Sequence, residues 1–263
     1  MVNSNLLDRL PSSMQKKLKK SYYLLYENVP LSLMMAKGYF KVIELMKNPD
    51  TFNENSDFIE NTQRELLANI LKNALLNVPF YRDNVHINPT EIEPANSLEI
   101  LQEFPLLDKE EIMKHPEDCI SEKVNKKTLY YATSGGSTGV GIGVWRTLEE
   151  LQIERAFFDN MWSKYGYQRK SKTLRMGADA VVPLDMSPFQ MSGRRLLVSP
   201  LHLNEKFMPQ IVEKIKDFSP EFIHAYPSCV ESLALYLKAH NMSIKVNAIF
   251  LASEEVKPEQ IEL

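Results

Sequence analysis

From residue 172 onward, extended and helical patterns take turns along the chain. "TLRMGADAVV" and "RLLVSP" have the composition of strands, "NEKFMPQIVEKIKDF" the spacing of a helix capped by Asn204, and "EFIHAY" that of a strand. "SCVESLALYLKAHN" reads as a helix opened by a Ser228–Glu231 capping box, and "VNAIFLAS" as a further strand. Pro209 is a defect in this scheme, because proline removes a donor from a helix interior. Strands separated by helices must cross over the sheet to pair, so the order predicts an α/β fold with parallel strands and right-handed crossovers. Ligands of such sheets bind beyond the carboxyl ends of the strands. That rule points to "YPS" (226–228) and "ASEE" (252–255).

The earlier chain follows a different period. Residues 1–127 read as a mostly helical region, and 128–263 as the α/β region. Ile59, Leu66, Leu67, Ile70, Leu71 and Leu75 recur at helical spacing until Pro79 breaks the run. Ser97 is expected to cap a short helix from Leu98, and Asp108 another, "KEEIMKH", which Pro116 stops. "TLYYAT" and "GVWR" (143–146) look extended. Thr147 with Glu150 then opens a helix to about Lys164, with Leu148, Leu151, Phe158, Met161, Trp162 and Tyr165 as its core face. His224 lies in an expected buried strand and reads as a core histidine. At the other end, "KPEQIEL" starts a helix at Pro258 and supplies only about one turn, too little to be stable alone, so the sequence is expected to stop within a domain.

Between the two extended segments lies "TSGGSTGVGIG", which allows three readings. Glycines let a backbone approach closely and aim several N–H groups at one oxyanion, and the hydroxyls of Ser134, Ser137 and Thr138 add donors without bulk. No Lys-Ser or Lys-Thr follows, so this is not a Walker loop, and the glycine offsets do not fit a dinucleotide fingerprint. Gly135–Gly139 also matches G-x-S-x-G, which would make Ser137 a hydrolase nucleophile with Asp185 and His202 or His224 as partners. That elbow requires a strand, one turn and an immediate helix, whereas an extended segment follows here. The third reading is a flexible hairpin, which explains the glycines but not the hydroxyls. A non-catalytic phosphate- or nucleotide-binding module remains an alternative to an enzyme.

Charge and cysteines exclude other classes. A net charge of −3 lacks the basic field that nucleic-acid binding needs. Cys119 and Cys229 stand far apart with no CxxC spacing, which argues against a disulfide scaffold or a zinc site and fits a reduced, cytoplasmic setting. Lys37 and Lys41 interrupt the most apolar early segment, so no transmembrane span is expected, and the N-terminus lacks the apolar core of a secretory signal. The run Lys16, Lys17, Lys19 and Lys20 reads as a solvated helix face. The sequence leaves a homodimer open.

With its surroundings, the loop from Thr133 to Gly139 resembles the phosphate loop T-S-G-[ST]-T-G-x-P of the adenylate-forming superfamily. The form T-S-G-G-S-T-G narrows the likeness to its CapK-like and phenylacetate–coenzyme A ligase-like branch. "LPSSMQKKL", "VPFYRDN", "FPLLDKEEI", "ERAFFDNMWSKYGY", "FSPEFIHAYPSCVESLALYL" and "AIFLASEEV" are similar, in order, to elements of the same branch. The resemblance implies an incomplete N-terminal adenylation domain. Its ligase would activate a small carboxylic acid with ATP and Mg2+ and often pass the acyl group to coenzyme A, in capsular polysaccharide biosynthesis or aromatic-acid metabolism. It further implies that Thr133, Ser134, Gly135, Gly136, Ser137, Thr138 and Gly139 hold the ATP phosphates. Tyr226, Pro227 and Ser228 would stand near the acyl pocket, and Ser253 and Glu254 would line the nucleotide end. Gly141 stands where the branch has proline, and the following lysine is absent, which predicts a looser loop. The Y-G-x-[ST]-E segment, the ribose-binding aspartate and the C-terminal lysine of the superfamily have no counterpart in these 263 residues. The chain alone is therefore expected to be inactive or a weak phosphate binder, and the resemblance assigns none of its residues to catalysis.

Overall fold

The computed structural model describes residues 28–52, 57–133 and 141–261. Before residue 128, every regular element among them is helical: α1 (Lys37–Leu45), α2 (Asp57–Asn77), α3 (Pro79–Asn84), α4 (Ser97–Leu101) and α5 (Lys109–Lys114), joined by short 3-10 turns. α2 realises the expected periodicity, but only one stripe of it is covered. Ala68, Leu71 and Leu75 are buried with Val85 and Ile92, whereas Leu66 and Ile70 remain more than half exposed. The apolar residues of α2 span a wider arc than the segment packed on it covers.

Asp108 caps α5, its carboxylate accepting from Glu111 N at 2.7 Å. Ser97 does not cap its helix. It is the first residue of α4, is fully buried, and donates its hydroxyl to the Pro94 carbonyl at 2.9 Å. Glu93 and Asn96 form a reciprocal capping box on the turn before it.

Strands β1 (Tyr130–Thr133) and β2 (Gly143–Arg146) pair antiparallel, with Thr133 opposite Gly143. The chain thus leaves the glycine stretch into a returning strand. Helix α6 (Leu148–Ser163) starts only after β2, at the expected capping box: Thr147 N donates to the Glu150 carboxylate at 2.8 Å, and Glu150 N to the Thr147 hydroxyl at 3.1 Å. Among the described residues, the helix that follows the stretch begins only after β2, whereas a hydrolase elbow runs from strand through one turn directly into a helix. Of the expected core face of α6, Trp162 is buried, while Leu148, Met161 and Tyr165 are exposed; Ala156 is the other buried position.

Residues Met35–Phe158 form one compact unit, and Asp159–Leu263 with the segment up to Met34 form the other. The second unit is a five-stranded mixed sheet in the order β4-β5-β3-β6-β7. Its strands are β3 (Thr173–Met176), β4 (Phe189–Ser192), β5 (Arg195–Val198), β6 (Phe222–Ala225) and β7 (Ala248–Leu251). β5, β3, β6 and β7 run parallel, and β4 pairs antiparallel with β5. The α/β expectation holds. β4, "FQMS", went unread because it is short and half polar.

Helices α7 (Met208–Phe218) and α8 (Pro227–Ala239) connect β5 to β6 and β6 to β7. Their buried residues Ile211, Val212, Ile215, Cys229 and Leu233 close over Leu174, Met176, Leu196, Val198, Ile223 and Ala225. Pro209 is no defect, because α7 begins at Met208 and places the proline in its first turn, where a missing N–H costs nothing. Phe207 rather than Asn204 is the N-cap. Just past the end of α8, Asn241 takes the left-handed region, φ 53°, and Met242 N donates to Leu237 O at 2.8 Å, satisfying one of the last carbonyls. Helix α9 (Pro258–Ile261) closes the described chain. Among the described residues, no helix is long and apolar enough to cross a membrane.

His202, after β5, is fully buried against Phe207, and neither ring nitrogen has a hydrogen-bond partner among the described residues. An orphaned polar group of this kind costs free energy. His202→Leu, of similar volume, is expected to raise stability by about 1 kcal/mol. Equilibrium urea unfolding checks this, and a loss of stability would show that the imidazole has a partner.

Candidate functional site

The strands that matter end level with one another. Met176, Ala225 and Leu251 stand in one row across β3, β6 and β7. The loops that follow each of them therefore emerge side by side at the carboxyl edge. β5 and β6 flank β3, so the chain reverses direction across the sheet at the β3–β6 pair, the place where open α/β sheets leave a crevice.

Tyr226 spans that point. Its backbone N–H donates to Met176 O at 2.9 Å, and its phenol oxygen accepts from Ala178 N at 3.0 Å. Its ring is half-buried against the core, so the residue serves both packing and the loop after β3. Pro227 is buried as the first residue of α8. Ser228, next along, carries no capping box with Glu231, which instead accepts from Gln260 at 2.7 Å. The N-terminus of α8 is capped from a distance. The Glu254 carboxylate accepts from both Ser228 N and Ser228 Oγ at 2.9 Å. A carboxylate there satisfies an unpaired N–H and faces the positive end of the helix dipole. Ser253, just before it, sits in the left-handed region at φ 71°, a strained conformation for serine. Thus two stretches 26 residues apart, each singled out in the sequence, meet side chain to side chain.

Ser228→Ala removes one of these two bonds and is expected to lower stability by about 1 kcal/mol. Glu254→Gln should cost a similar amount by removing the charge facing the dipole. A double-mutant cycle in urea checks the pair: the two losses should not add, because they break the same contact.

Cys229 lies beneath this edge. Burial, then the charge of Glu254, pushes its thiol up to about 11, so it is protonated at neutral pH and is no nucleophile.

Beside Tyr226, a charged cluster escaped the sequence reading. Arg175 on β3 donates Nε to Asp179 Oδ1 at 2.7 Å, and Arg195 on β5 donates to Asp179 Oδ2 at 2.8 Å. Burial opposes ionisation of Asp179, but the two arginines outweigh it and hold its carboxyl below the usual range. Gly177 lies directly over Arg175, where an added Cβ would stand 2.5 Å from the guanidinium carbon. Arginine in the otherwise apolar "TLRM" strand was the available signal.

Of the expected phosphate-holding residues, Thr133 ends β1, exposed and opposite Gly143. Ser134, Gly135, Gly136, Ser137, Thr138 and Gly139 lie outside the described residues, as does the basic run at Lys16–Lys20. Asp185 is exposed, His202 has no hydrogen-bond partner on its ring nitrogens among the described residues, and the part-buried His224 ring packs edge-on against Trp162 at 4.8 Å. No cluster of His, Cys, Asp or Glu among the described residues is placed to hold a metal ion.

No family model matches this sequence. Among curated proteins, it is similar to Protein CapK of Staphylococcus aureus, at 21% identity over 222 residues. The match covers 81% of this chain and 46% of that protein, so the chain spans about half the length of the curated relative it resembles. The likeness to CapK is therefore distant, but it extends over most of this chain.

Proposed function

We infer that this chain carries the substrate-binding part of an ATP-dependent, carboxylate-activating ligase related to CapK. The observation that supports it best is the meeting of Tyr226, Ser228 and Glu254 at the carboxyl edge of β6 and β7, at the sheet's reversal point. The distant likeness to CapK adds weight. In the reaction, a carboxylate oxygen of an organic acid attacks the α-phosphorus of ATP. A C–O–P link forms, the bond to the β-phosphate breaks, and pyrophosphate leaves. In the branch the sequence resembles, the acyl group then passes to a thiol such as coenzyme A.

The described residues contribute positioning and charge. The α8 N-terminus attracts an anion and already holds one in Glu254. Tyr226 fixes the β3 loop next to it. Backbone N–H groups of the Thr133–Gly139 stretch would take the phosphates, a role that rests on the sequence. No described residue is assigned to Mg2+. The pathway proposed for the whole protein is surface-polysaccharide synthesis.

Calorimetric titration of the 263-residue chain with MgATP tests this. Weak saturable binding is expected, with at least a tenfold loss in Gly136→Val, whose side chain would intrude where amides meet phosphate. Absence of binding, or equal affinity in the variant, contradicts the proposal. Binding that a carboxylic acid leaves unchanged would favour a nucleotide-binding module instead.

A further inference from the structure

The unit of Met35–Phe158 contains a half-enclosed cavity of about 220 Å3 between β2 and the segment that runs from α5 to β1. Val78, Ile112, Ile120, Val124, Leu129 and Trp145 are among the residues of its wall. The space is a cleft open to solvent on one side, and its mainly apolar wall offers water few hydrogen-bond partners.

The polar groups at its margin are largely committed to the chain itself. Thr147 and Glu150 satisfy each other's backbone N–H, and Ser121 Oγ accepts from Lys123 N at 3.4 Å. The lining contains one carboxylate, Glu150, and no Lys, Arg or His. Burial first, then Asp118 and Glu111, push the thiol of Cys119, also in the wall, above its ordinary value. An anion entering this space would lose its hydration and meet Glu150 with no counter-ion. An uncharged planar molecule would lose little and gain contact with the aliphatic wall and the Trp145 indole. An apolar protein cavity of about 150 Å3 takes one benzene ring. This cleft, at about 220 Å3 and open on one side, has room for two fused rings.

We propose that the cavity is a binding site for a small uncharged aromatic molecule of one or two fused rings. It shares no residue with the sheet-edge site, does not rest on the ligase reading, and excludes the carboxylate form of any acid.

The test is calorimetric titration of the full chain with 2-naphthol, uncharged at pH 7, and with 2-naphthoate, which has the same rings and a carboxylate. One molecule of 2-naphthol should bind per chain, and 2-naphthoate at least tenfold more weakly. Val124→Phe and Ile112→Phe, which each fill part of the space, should weaken 2-naphthol at least tenfold while keeping the wild-type circular dichroism. Should one variant misfold, the other carries the comparison. In the unaltered chain, 2-naphthol should slow alkylation of Cys119 at pH 8 at least fivefold, read by peptide mass. No saturable binding, unchanged affinity in a folded variant, or unprotected Cys119 would overturn the proposal. So would equal binding of 2-naphthoate, or sedimentation showing that the free chain is a dimer that Val124→Phe dissociates, since the cavity would then be an interface between copies.

Discussion

Trp162→Ala is expected to lower the stability of the chain by about 3–5 kcal/mol, the largest effect of any single substitution considered. The indole is 4% exposed and lies parallel to Phe250 on β7, with ring centroids 4.6 Å apart and planes 8° apart. It also meets His224 at 4.8 Å and Tyr167 at 5.1 Å edge-on. Phe250 in turn stacks on Phe222. This aromatic set covers the sheet face opposite α7 and α8, so truncation opens a cavity that its rigid neighbours cannot close. Trp162→Phe keeps the stack and should lose less than half as much. Urea unfolding measures both. A loss below about 1 kcal/mol for the alanine variant would mean that this face is not packed as described.

Asp179→Ala is expected to cost about 2 kcal/mol. Removing one partner of a buried ion pair costs about 3–5 kcal/mol, and Asp179 is itself about half open, which lowers the figure. Arg175, with 12% side-chain exposure, would keep its charge with no carboxylate beside it. The same contact gives a pH dependence of known sign. The folded carboxyl titrates below its unfolded value near 3.9, so its stabilisation is complete above that value and is lost as pH falls through the folded one. Between pH 5 and pH 2 the wild type should therefore lose more stability than Asp179→Ala does, as measured by thermal unfolding across that range. Parallel curves would remove Asp179 from the account.

The parallel sheet was legible because its signal is periodic and repeated. "EFIHAY" and "VNAIFLAS" are apolar runs bounded by helices with clear starts, and both are strands. What was misread depends on partners distant in sequence. Ser228 with Glu231 has the spacing of a capping box, yet Glu254 takes the place of Glu231, because the β7 loop delivers a carboxylate to the same N–H. Leu148, Met161 and Tyr165 have core-like spacing and stand exposed, since periodicity shows which face is apolar and not what covers it. Ser97 has a cap's chemistry one residue too late. The Arg175–Asp179–Arg195 cluster joins two neighbouring strands, a pairing that no local pattern reveals. At the candidate site, the two loops were identified from topology alone. Their contact through Ser228 and Glu254, and the strain at Ser253, required coordinates.

We propose that a nucleotide binds at the carboxyl edge of β6 and β7. The most direct measurement is photolabelling of the 263-residue chain with 8-azido-ATP, followed by mass mapping of the modified peptides. The account predicts label within residues 226–228 or 252–255, competed away by ATP and reduced in Glu254→Ala. Label confined to other segments and equally competed by ATP would contradict it.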